Sequence, residues 1–267
     1  MSAEEARVRR LGWLRGHVTS YATLLLFALI CLAWTVVALP LYLLLPRGRG
    51  TAFGRLGISR GFGIYAAWLS AVGAYRLDLT AMDALRGGPP LLLAANHPVV
   101  IDAILMVTRH PNMVCIMKAS LMNNVLLGAG ARLAGYIPNH PPRRTVREAV
   151  AALEQGGVLL LFPEATRTRT APVNPFIGSA GLIAKLARVP VQTLIVETDS
   201  PYLSKGWSPL RMPSLPIIYR VRLGRRFEAP DDAREFDQRL ETYFRHELAG
   251  ALQERWLPRD GGRVGGA

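Results

Sequence analysis

From Val18 to Pro46 the chain carries no charged side chain, and Tyr21 to Leu45 is almost wholly Leu, Ala, Val, Ile and aromatic. At 1.5 Å per helical residue, roughly 20 residues cross the ~30 Å hydrocarbon layer of a bilayer, so this run is long enough to span one. A core helix of a soluble domain seldom needs such length. A cleaved signal peptide fits worse, because the run is too long and no small-residue cleavage pattern follows it. A second uncharged stretch, Gly61 to Tyr75, is short and glycine-rich for another crossing and reads as re-entrant or interfacial. Arg7, Arg9, Arg10 and Arg15 precede the long run, and Arg47, Arg49, Arg55 and Arg60 follow it. The positive-inside count is therefore tied, which a hairpin dipping into one leaflet explains by placing both clusters on one cytoplasmic side. The expected location is the inner membrane, with the rest of the chain in the cytoplasm.

The net charge of +13, from 32 Lys plus Arg against 19 Asp plus Glu, calls for an anionic partner. The arginines are scattered and several flank apolar segments, so attraction to anionic lipid accounts for them better than nucleic acid does. Cys31 and Cys115 are the only cysteines, too few for a disulfide framework and without metal spacing. No Cys-x-x-Cys or His-Glu-x-x-His occurs, and His17, His110 and His140 lack ligand-spaced partners, so no metal is expected. Gly61-x-Gly63-x-x-Ala66 has no strand before it and is not a dinucleotide loop. Gly178-Ser179-Ala180-Gly181 is not a nucleophile elbow.

Beyond Asp78 short apolar runs alternate with helical patterns. Strands are expected at 91–95, 113–117, 158–162, 191–196 and 217–223, and helices at 99–108, 121–133, 145–155, 179–187 and 231–256. This alternation predicts an α/β domain, its mixed or largely parallel sheet flanked by helices and preceded by a membrane helix or helical hairpin. The expected division is an anchoring segment at 1–77, a catalytic domain at 78–257 and a flexible glycine-rich tail at 258–267.

Two motifs directly follow apolar strands. In Asn96-His97-Pro98-Val99-Val100-Ile101-Asp102, Pro98 disfavours helical geometry at His97, placing the histidine on the loop before a helix. On a continuous helix His97 and Asp102 would point ~140° apart, but a bent entry lets the carboxylate reach the imidazole. Such a pair makes a general base for a hydroxyl, and equally a bland capping pair. In Phe162-Pro163-Glu164-Ala165-Thr166-Arg167-Thr168, Glu164 suits hydroxyls and Arg167 suits a phosphate. Because ligands gather beyond the carboxyl ends of strands in open α/β sheets, both motifs are expected on one rim.

These blocks, with Lys118, Gly128, Gly135, Tyr136 and Ile137 between them and Val189-Pro190-Val191 after them, resemble the glycerolipid acyltransferases typified by 1-acylglycerol-3-phosphate O-acyltransferase. The resemblance runs from about Leu91 to Val196. It implies transfer of a fatty acyl group from a thioester, acyl-CoA or acyl carrier protein, to a lipid hydroxyl, with no further cofactor and with membrane lipids as partners. His97 and Asp102 would be catalytic, and Glu164, Thr166, Arg167, Lys118, Arg143 and Arg144 would bind substrate. The family usually has glycine where this chain has Ala165, a proline near Asn124, and a basic residue near Asn139. Tyr136 to Asn139 and Tyr202 to Gly206 are similar to acyltransferases found with aryl-polyene pigment pathways, which makes a non-glycerophosphate acceptor the alternative. A further alternative is an inactive lipid-binding protein of the same fold.

Overall fold

Leu91 to Ala95 is buried along its whole length, with Leu91, Leu93 and Ala95 in one core and Leu92 and Ala94 in another. A strand covered on both faces must lie inside a sandwich of helix, sheet and helix. The computed structural model describes residues 3–139, 141–208 and 211–257, so His140 and the 258–267 tail lie outside the described residues. Strands β1 (Tyr75–Asp78), β2 (Leu91–Ala95), β3 (Met113–Met117), β4 (Ile137–Pro138), β5 (Val158–Leu161), β6 (Val191–Thr198) and β7 (Ile217–Phe227) form one seven-stranded sheet. Their order is β1-β7-β6-β2-β5-β3-β4, parallel throughout except between β6 and β7.

Helices α1 (Ala3–Leu44) and α2 (Arg47–Ala71) form an antiparallel hairpin that turns at Leu45 and Pro46. Phe27 meets Phe62 and Tyr65, at ring-centre distances of 5.9 and 5.3 Å, and Trp34 meets Phe53 at 6.0 Å. The second arm therefore begins well before Gly61. Its charges hide it from a search for uncharged runs, yet Arg55 donates to the Ala134 carbonyl at 3.0 Å and to Asn112 Oδ1 at 2.7 Å. Its glycines serve packing: a Cβ at Gly54 would sit 2.6 Å from the backbone at Leu133 and Ala134, and one at Gly57 would sit 2.0 Å from the Trp34 ring.

Within α1, residues 16–44 are long and apolar enough to cross a membrane. Phe27, Ile30 and Trp34 pack against the core under the sheet, while Leu25, Leu29, Leu32, Val36, Leu39 and Leu43 form an exposed stripe. Their alternating spacing of four and three residues keeps that stripe on one helix face. A continuous exposed apolar face of this kind is costly in water.

The remaining helices are α3 (Asp102–Val107), α4 (Gly128–Leu133), α5 (Pro142–Glu154), α6 (Ala180–Ala187) and α7 (Ala233–Glu247). Residues from α2 and α3 enter the first core, and residues from α5, α6 and α7 the second. Two continuous helices expected from sequence are each divided. Asn124 is extended, and its Oδ1 accepts from the N–H groups of Leu126 and Leu127, so a short 3-10 turn at 119–123 stops before α4 starts. Gly250, at φ 80°, likewise separates α7 from a 3-10 turn at 252–255.

Candidate active site

The parallel strands β2, β5, β3 and β6 all end on the same rim, and the loop leaving β2 carries His97. Residues 98–101 turn before α3 begins at Asp102, and the Val99 N–H donates to Asp102 Oδ2 at 3.0 Å. This contact folds the carboxylate back over its own turn and places Oδ2 2.7 Å from His97 Nδ1. Asp102 is fully buried, while the His97 side chain retains 16% of its exposure. The imidazole lies flat on Phe162, from the loop after β5, at 4.0 Å between ring centres and 18° between planes. With the carboxylate at Nδ1, the favoured neutral tautomer carries its proton there and leaves the Nε2 lone pair basic.

Asp102 has a further partner that the sequence did not flag. Tyr219, fully buried on β7, donates its hydroxyl to Asp102 Oδ1 at 2.9 Å. Burial pushes the Asp102 carboxyl above the ordinary carboxylate range, opposed by hydrogen bonding and charge from His97 and by the Val99 and Tyr219 donors. Nothing in the local sequence marks Tyr219, because it is 117 positions from Asp102. The long-range strand pairing of β7, with Thr198 of β6 and Leu77 of β1 opposite Tyr219, brings it to the rim.

The structure brings Glu164, Thr166 and Arg167 to the same loop cluster as His97, although two of these are turned toward protein. Glu164 is 3% exposed. Its Oε1 accepts from the His97 N–H at 3.0 Å and from Thr168 Oγ1 at 2.8 Å, and its Oε2 accepts from the Asn174 N–H at 2.9 Å. It is thus a clamp on the histidine loop rather than a group facing solvent. Burial raises its pKa, against the lowering effect of those donors. The Thr168 N–H returns a 2.7 Å bond to the His97 carbonyl. Arg167 directs Nη1 to the carbonyls of Leu203 and Ser204, at 2.7 and 2.8 Å. Ala165 sits between them at φ 51°, in the left-handed region.

Lys118, Arg143 and Arg144 lie apart from this cluster. Lys118 is exposed at the end of β3, two strands from β2 and so roughly 10 Å along the rim. Arg143 and Arg144 are exposed in the first turn of α5, and Arg144 pairs with Glu148 at 2.8 Å. Asn139, which stands where a basic residue was expected, caps the 119–123 turn by accepting from the Ala119 N–H at 2.7 Å. Among the described residues, no three His, Cys, Asp or Glu side chains gather as a metal site would need.

Beside the histidine loop an apolar cavity of about 190 Å³ opens between the helical hairpin, α3 and α4. Phe27, Ile30 and Trp34 from α1, Phe62 from α2, and Val100 and Ile104 are among its walls. Trp34 is wedged against Gly57 and Gly130, where a Cβ would approach its ring to 2.0 and 2.6 Å.

Residues 76–197 match the family model described as Acyltransferase, a span that contains both the His97–Asp102 and the Glu164–Arg167 segments. No curated protein matches the chain by sequence. Among solved structures, the 1-acyl-sn-glycerophosphate (LPA) acyltransferase PlsC from Thermotoga maritima matches with a TM-score of 0.70. The match covers 92% of this chain and 99% of that one, at 19% identity. At that identity the likeness establishes a shared fold. Residues 76–197 are therefore similar to the Acyltransferase family, within a fold shared with that PlsC.

Proposed function

We propose that the protein is a membrane-associated O-acyltransferase. It moves a fatty acyl group from acyl-CoA or acyl carrier protein to the hydroxyl of a lysophospholipid, with 1-acylglycerol-3-phosphate as the first candidate. The observation that carries this reading is the 2.7 Å contact of His97 Nδ1 with a fully buried carboxylate, next to an apolar cavity at the rim of the sheet. In this reading His97 Nε2 removes the proton from the acceptor hydroxyl as its oxygen attacks the thioester carbonyl. The tetrahedral intermediate then expels the thiolate, which takes up a proton. Asp102 stabilises the imidazolium that forms in between.

The cavity suits an acyl chain, being almost wholly apolar and lying next to Val100, three residues past His97. The apolar stripe on α1 supports seating the hairpin in the inner membrane with the catalytic rim on its cytoplasmic side, where a water-soluble donor meets an acceptor that stays in the leaflet. No metal or organic cofactor takes part in this reading. Asn139 favours a second one: it offers an amide used internally where a cation was expected, which suits a non-glycerophosphate acceptor such as an aryl-polyene or amino-acid lipid. Mass spectrometry of lipid extracts from cells with and without the gene separates the two. Loss of diacyl phosphatidate supports the first reading, and loss of an acylated pigment or amino-acid lipid supports the second.

A further inference from the structure

We propose that Lys205, in the Tyr202 to Gly206 stretch between β6 and β7, is the cation that binds the phosphomonoester head of the acceptor, with the Thr166 hydroxyl as its neighbour; this rests on the acyl-transfer reading. The stretch between β6 and β7 is unusual in being pinned to both catalytic loops. The Leu203 carbonyl accepts from the Val100 N–H at 3.1 Å, on the turn between His97 and Asp102. The same carbonyl and that of Ser204 take the Arg167 Nη1 bonds.

This docking requires Leu203 to stand at φ 65°, a conformation that a branched L side chain seldom adopts, and Gly206 follows at φ 90°. Two left-handed residues thus bracket Ser204 and Lys205. Tyr202, buried and edge-on to Trp207, fixes the base of the loop. Held in this way, Lys205 Nζ reaches Thr166 Oγ1 at 3.4 Å, on the loop whose Thr168 N–H holds the His97 carbonyl.

Charge supports the assignment. Among the described residues Lys205 makes no ion pair, whereas Arg144, Arg220 and Arg222 each have a carboxylate partner. An exposed ammonium supported by the Thr166 hydroxyl, on the loop that also holds the His97 carbonyl, and without an acid partner among the described residues, has the chemistry to take a phosphate oxygen. The guanidinium of Arg167 then acts through Lys205, as the strut that places it. This division of labour answers how an anionic head can be held in a chain whose Asn139 supplies no charge.

The test uses the full chain in detergent micelles, as wild type, Lys205→Ala and Lys205→Arg, with thermal unfolding to show that each is folded. Equilibrium binding is measured for 1-acylglycerol-3-phosphate, for a monoacylglycerol with the same chain, and for CoA. Lys205→Ala is expected to weaken binding of the phosphorylated acceptor about tenfold and raise its KM similarly, with kcat within about twofold. Monoacylglycerol and CoA binding should stay the same, and Lys205→Arg should recover most of the loss. Unchanged affinity for the phosphorylated lipid in Lys205→Ala overturns the proposal, as does a loss confined to CoA, which would assign the cation to donor phosphates. If the lysine-dependent binding is present but the wild type transfers no acyl group, the Lys205 assignment stands and the acyl-transfer reading falls.

Discussion

Tyr219 Oη donates to Asp102 Oδ1 across 2.9 Å, joining the last strand of the sheet to the carboxylate that holds His97. This donor favours the ionised form of a carboxyl that burial pushes toward neutrality. The groups acting on Asp102 are His97, the Val99 N–H and Tyr219 in direct contact, with the Arg167 charge and the buried Tyr75 hydroxyl farther out. Removing the Tyr219 hydroxyl raises the Asp102 pKa further, so the acid limb of the rate profile moves to higher pH. For Tyr219→Phe we expect a displacement on the order of one pH unit, given ~1.5 kcal/mol for a hydrogen bond to a charged group. Initial rates measured over pH test this, and a limb that stays in place contradicts it.

Glu164 satisfies three donors from three parts of the histidine loop cluster. Glu164→Gln replaces one acceptor oxygen by a donor and is expected to cost about 1–3 kcal/mol of stability. Because burial raises its folded-state pKa, the contribution tied to its protonation is complete below the ordinary carboxylate range and is lost as pH rises through the raised value. Urea unfolding at pH 4 and pH 7 should therefore show the gap between wild type and Glu164→Gln narrowing at the higher pH. A gap that widens would contradict the assignment.

At Ala165 the left-handed φ of 51° costs a residue with a Cβ roughly 1–2 kcal/mol, part of which glycine gives back as unfolded-chain entropy. Ala165→Gly should stabilise the protein by about 0.5–1 kcal/mol and leave acyl transfer within about twofold. Denaturant titration decides the sign.

Trp34 narrows the apolar cavity from α1. Trp34→Ala should extend the accepted acyl chain, and two more buried methylenes at ~0.8 kcal/mol each amount to about a tenfold change in relative kcat/KM. A chain-length series of acyl donors provides the measurement. An unaltered profile would place the acyl chain elsewhere.

Strands 91–95 and 113–117 are legible to the residue because the first is buried on both faces and the second from Met113 to Cys115, so the sequence there is uninterrupted apolar. Tyr75–Asp78 is not legible in that way: an edge strand of four residues alternating with Arg76 and Asp78 looks like a loop. Nor is the arm that starts at Arg47, since the partners of Arg55 lie far away in the chain. The His97–Asp102 pairing follows from a local turn and could be read from Pro98 and the spacing. Tyr219 and the Leu203–Arg167 contact depend on long-range strand order, which the spacing of motifs does not reveal. Glu164 and Arg167 stand in the loop cluster with His97, as their position after a strand leads one to expect, but their hydrogen bonds to the chain depend on burial, which is invisible in a motif.

The central claim is that His97 acts as the general base under Asp102. The most direct measurement is the rate of acyl transfer from acyl-CoA to 1-acylglycerol-3-phosphate by purified wild type and His97→Ala, with matched unfolding temperatures. General-base help accounts for roughly 10²- to 10⁴-fold. The account predicts product with the wild type and a fall of at least about 100-fold in the variant, and a His97→Ala protein that transfers acyl groups at the wild-type rate would contradict it.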